Sequence, residues 1–116
     1  MKHYALLFYP TRTLTAEEQS RRGVEIPIWV KQVTEMGITI EPKAFGETVA
    51  TFSATGSETD SPNGSDGVPP LSNIVFFEAA SKDEAIKVAQ IHPGLHYGVI
   101  IDVREWSVPG RSPVAK

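Results

Sequence analysis

Three runs of this chain are apolar on both alternating faces, a pattern that belongs to strands buried on two sides. In Tyr4 to Phe8 one alternating set is Tyr4, Leu6 and Phe8 and the other is Ala5 and Leu7, and Ile74 to Phe77 and Val99 to Ile101 follow the same pattern. A chain of 116 residues has room for one domain, which buries roughly two thirds of the surface that its unfolded form exposes. Its helical segments suffice for only one face of a sheet. The other face needs a different cover, and a second copy of the same sheet is the expected one, because a large bare apolar surface drives association. The expected assembly is a homodimer.

Composition narrows the class of partner. Hydrophobic residues at 41% and charged residues at 22% are ordinary globular values, which argues against a disordered chain. The net charge is −3, from 11 basic and 14 acidic residues, and no Lys/Arg stripe forms. Nucleic acid and anionic membrane surfaces are therefore poor candidate partners. No apolar run approaches the ~18 residues of a membrane span, and Met1-Lys2-His3-Tyr4 leads straight into an apolar strand without a small-residue cleavage site. A cytoplasmic protein is expected. The chain contains no cysteine, so a disulfide framework, a thiolate nucleophile and a thiolate metal site are excluded.

Residues 3 to 9 predict a first strand stopped by Pro10. Thr15-Ala-Glu-Glu18 has the spacing of a capping box and starts a helix near residue 16. Gly23 and Pro27 weaken its interior and predict a kink or a split. A helical stripe then resumes in Ile26, Trp29, Val30, Val33 and Met36, with Gly37 as the C-terminal cap. Ile38 to Phe45 alternates and contains Pro42, which suits an outer strand, and Gly46-Glu47 could turn the chain into a further short strand over Thr48 to Ser53. From residue 54 to 72 the composition turns to Gly, Ser, Thr, Asp, Asn and Pro, the signature of a long flexible loop or a lid. Asn73 to Ala79 is the next strand, and Ser81-Lys-Asp-Glu84 opens a second helix that runs to His92 and stops at Pro93-Gly94. Val99 to Trp106 is the last strand. The domain thus spans residues 1–108, followed by a C-terminal tail, 109–116. Two strand-helix-strand halves give an α+β fold, a four-stranded antiparallel sheet with both helices on one face.

Several residues could carry chemistry. His92 follows Val88 by four and Ala89 by three, which puts it on the inward stripe of helix two in its last turn. The helix C-terminus favours its charged form and apolar surroundings oppose it, so a pKa near neutrality and a role as general acid or base are expected, beside the simpler role of capping the helix. Trp29 fits either a pocket wall or a core anchor. Arg104 fits either a clamp on a ligand carboxylate or an ion pair with Asp102 or Glu105. Tyr4 and Tyr9 reach either the pocket or the dimer interface. His92 and His96 have the spacing of two zinc ligands on a helix, but Pro93-Gly94 breaks the helix between them, so no metal site is assigned.

At Ile91-His92-Pro93, followed by Gly98-Val-Ile-Ile-Asp-Val-Arg104, the chain resembles the YCII-related family, and within it the branch named for an Asp-Gly-Pro-Phe (DGPF) motif. That branch ends its second helix with His-Pro or a similar pair and enters the last strand with an acidic-Val-Arg-Pro run; here Glu105 stands in place of the final Pro. The naming motif is reduced to Asp66-Gly67-Val68-Pro69. The resemblance implies a ferredoxin-like βαββαβ fold assembled as a dimeric α/β barrel. It also implies a small organic acid or aromatic compound as ligand and cofactor-independent isomerase, lyase or oxygenase chemistry, in a family whose activities are largely unassigned. The YCII branch pairs a histidine of helix one with an Asp where this chain has His92. Helix one here has Glu25 near that place, so the implied dyad is reversed: His92 moves a proton, Glu25 orients it, and Trp29, Arg104 or Tyr9 holds the ligand. The rival reading is a non-catalytic dimeric binding or regulatory module.

Overall fold

Alternation places Tyr4, Leu6 and Phe8 on one side of the first strand, β1 (Lys2–Pro10), and all three are buried. The computed structural model describes residues 1–52, 54 and 70–109. Within them α1 (Ala16–Glu35) leads to β2 (Ile40–Ala44), and β3 (Asn73–Ala79), α2 (Lys82–Gln90), a short 3-10 helix (Pro93–Tyr97) and β4 (Val99–Glu105) follow. The strands lie in the order β2-β3-β1-β4, and every neighbouring pair is antiparallel. The crossover through α1 therefore steps over β3, and that through α2 steps over β1. Two strand-helix-strand units interleave into one sheet.

Register decides which side chains share a face. Tyr4 opposes Phe77 and Leu6 opposes Val75, while on the other flank Leu6 opposes Val103 and Phe8 opposes Ile101. These residues join Trp29 and Val33 of α1 and Ala85, Val88 and Ala89 of α2 in one core. Both helices thus pack on the same face. The opposite face carries Ala5, Leu7 and Tyr9 with Ile74, Phe76 and Ile100, and among the described residues no helix covers it.

Local sequence accounts for most of the boundaries. Thr15 accepts the Glu18 amide while the Glu18 carboxylate accepts the Thr15 amide, so the capping box is complete. Both Arg12 guanidinium arms reach the same carboxylate at 2.9 Å. The Arg12 guanidinium and then the Thr15 amide hold the Glu18 carboxyl down at about 2. At the other end Gly37 has φ +85°, a conformation costly for any residue with a Cβ. Its amide bonds Thr34 O and that of Ile38 bonds Val33 O, the paired closure that satisfies the last carbonyls of a helix.

The structure departs from the sequence expectations at three places. The first helix is uninterrupted through Gly23 and Pro27. The carbonyl that Pro27 leaves without a donor is that of Gly23, and both residues are exposed, so water can satisfy it, while burial of Trp29 and Val33 on the far side holds the helix together. Second, residues 45–51 form no strand and Phe52 makes a single bridge, while Ser53 lies outside the described residues. Third, α2 ends at Gln90, and His92 caps the following 3-10 helix instead of closing α2. Most of the 54–72 loop, Asp66-Gly67-Val68-Pro69 and the tail beyond Pro109 fall outside the described residues. Among the described residues no helix is long and apolar enough to cross a membrane.

Candidate functional site

A cavity of about 260 Å³ lies between the core face of the sheet and α1. Its walls are mainly apolar, with Phe8, Val75 and Val99 from the sheet and Ile26, Trp29 and Val30 from the helix. Such a volume is below the ~300–1,000 Å³ of drug-sized sites and suits a single-ring compound. His92 stands at its inner side, only 7% exposed. The imidazole is wedged between two aromatic rings, with centroids 4.5 Å from Trp29 and 4.8 Å from Phe8. Trp29 is itself fixed, because its indole Nε1–H donates to Val88 O at 2.9 Å.

The position of His92 at the start of the 3-10 helix sets its chemistry. The Gly94 amide donates to Nδ1 at 2.9 Å, so Nδ1 is an acceptor and the proton of the neutral ring sits on Nε2. Burial, and then the positive charge of Arg22, push the imidazole down to about 4. The expectation of a pKa near neutrality rested on a helix C-terminus; the ring caps the following 3-10 helix instead, and burial dominates its titration. His92 is a neutral Nε2–H donor at physiological pH. Nε2 has no hydrogen-bond partner among the described residues, and no buried side-chain nitrogen or oxygen among them is left unsatisfied. The Nε2 edge therefore opens on the cavity. Gly94 is part of the arrangement, since a Cβ there would meet Nδ1 at 2.9 Å.

Glu25 does not reach His92. Its Oε1 accepts the hydroxyl of Tyr97 at 2.6 Å, which holds that phenol above its ordinary range. Tyr97 belongs to the 3-10 helix that His92 caps, so Glu25 ties that helix to α1 without touching the imidazole. The expected pairing of Glu25 with His92 is replaced by these two separate bonds. Arg104 pairs with Ala5, and Tyr9 with Ile100, on the face opposite the cavity. Trp29 lines the cavity and anchors the core at once.

Arg22 escaped the sequence reading. It precedes Ile26 by four residues and Trp29 by seven, so the apolar stripe of α1, extended back by one turn, brings it to the cavity. That periodicity was the available signal. Ser72 and Asn73 complete the polar part of the lining, and no sequence pattern singles them out. A larger, shallower groove of about 660 Å³, bordered by His3, Glu41, Phe76, Glu78 and Trp106, has no comparably buried polar group.

No family model matches this chain, and no curated protein matches it.

Proposed function

We propose that this protein binds a small organic acid or aromatic compound in the cavity beside His92, as a cytoplasmic homodimer of ferredoxin-like subunits related to the YCII family. The observation that carries the reading is a histidine 7% exposed whose Nε2 edge faces a cavity with no protein partner among the described residues. Nε2 is not among buried atoms left unsatisfied, so water reaches it through the cavity, and a ligand acceptor takes that water's place. The strand order β2-β3-β1-β4 with both helices on one face supports the ferredoxin-like arrangement. The apolar residues of the opposite face support pairing of two sheets into a dimeric α/β barrel. The cysteine-free sequence accords with the cytoplasm.

Binding without proton transfer is the form that the geometry favours. The described cavity lining contains no carboxylate, Nδ1 is occupied by the Gly94 amide, and the ring is neutral. Among the described residues lining the cavity no general base stands beside the ring. A thermal-shift screen of small carboxylic acids and phenols tests this, repeated on His92→Ala. A ligand at about 100 times its Kd adds about 2.7 kcal/mol of stability. We expect a subset of compounds to raise the melting temperature of the native protein and to lose most of that effect in the variant. Stabilisation that survives His92→Ala unchanged removes His92 from the site.

A further inference from the structure

Resting on that binding reading, we infer that the ligand is a small monocarboxylate carrying a second, uncharged oxygen acceptor, its carboxylate held by Arg22 and its second acceptor by His92 Nε2–H. Arg22 is the only charged side chain among the described residues lining the cavity. Arg12 and Arg21 are paired with Glu18 and Glu17, whereas Arg22 has no ion-pair partner among the described residues. It is exposed while His92 is buried, so one marks the solvent side of the cavity and the other its inner side. Ile26, Val30 and Val99 provide apolar wall elsewhere.

Both polar ends are donors. A guanidinium has no acceptor, and the Gly94 amide on Nδ1 leaves His92 with only Nε2–H to offer. A ligand that satisfies the pair must bring an acceptor to each end. An amine is repelled by Arg22 and offers His92 nothing. A dicarboxylate would set one of its charges against a neutral donor at the buried end, where an unpaired charge is costly. A monocarboxylate with a carbonyl or phenolic oxygen meets both requirements.

Calorimetric titration of the full chain with 4-hydroxybenzoate, benzoate and methyl 4-hydroxybenzoate tests the assignment. The hydroxy acid is expected to bind roughly tenfold tighter than benzoate, the worth of one hydrogen bond. His92→Phe, which keeps a ring between Phe8 and Trp29, should erase that difference. Arg22→Gln should weaken both acids roughly tenfold and leave the neutral ester unchanged. A long-range ¹⁵N–¹H spectrum of the unmutated protein, with the His92 proton on Nε2, checks the tautomer without relying on any variant. The assignment is overturned if the proton sits on Nδ1, if the hydroxyl advantage survives His92→Phe, or if none of the three probes binds. Where the probes fail but a compound from the wider screen still depends on His92, the pocket stands and only the ligand class falls; where nothing binds, both fall.

Discussion

His92 changes character within two residues of chain. As the last residue of a helix it would meet carbonyl oxygens and favour its proton; as the residue before a 3-10 helix it meets the Gly94 amide and refuses one. A histidine of ordinary pKa 6.5 is held at about 4 in the folded chain, by burial first and Arg22 second. The unfolded chain therefore binds more protons between these values, so stability is full above about 6.5, falls as pH drops through the window, and levels off below about 4. The loss amounts to about 3 kcal/mol at most. Urea unfolding at pH 7 and pH 5 should show this slope in the native protein and its absence in His92→Phe; equal slopes in the two would contradict it. Glu18 titrates lower, between 4.5 and about 2, and leaves that interval clear. His92 does line a cavity, but not as the inward residue of α2 that Val88 and Ala89 suggested, since α2 ends at Gln90. The charge state of His92 was not legible, because Pro93 ends α2 early and the amide that fixes the tautomer comes from Gly94, in a turn whose geometry no periodicity encodes.

At the scale of elements, local signals and packing compete most openly in α1. Its start at Thr15 and its closure at Gly37 were readable because capping needs particular residue types at particular spacings. The break expected at Gly23 and Pro27 did not occur, since tertiary burial of Trp29 and Val33 outweighs two unfavourable residues on the solvent side. Those two positions should then be a reserve of stability. A Cβ at Gly23 would meet nothing within 4 Å. Gly23→Ala is expected to stabilise by about 0.5–1 kcal/mol, and Pro27→Ala by up to about 3 kcal/mol, read as a higher urea midpoint at unchanged slope. A lower midpoint in either would mean that the helix needs its weak turn. Arg22 lies one turn upstream on the same face of α1, and an apolar stripe by its nature does not mark a cation.

The molecule as a whole is a sheet with two unlike faces. One carries the helices, the core and the His92 cavity. The other presents Leu7, Tyr9, Ile74 and Phe76, with Ile100 still 49% exposed and Trp106 37% exposed at its margin. This asymmetry was the most legible property of the sequence, because runs apolar on both alternating sets can be counted directly. What covers the face without helices was not legible, since the same pattern serves any apolar partner. We propose that a second copy covers it, which would leave the helix side of each subunit free for a ligand. Sedimentation equilibrium over a range of protein concentrations measures this directly. We expect twice the chain mass, shifting toward one chain mass in Ile100→Lys, where a charge is set into the pairing face. A single chain mass at every concentration in the native protein would contradict the account.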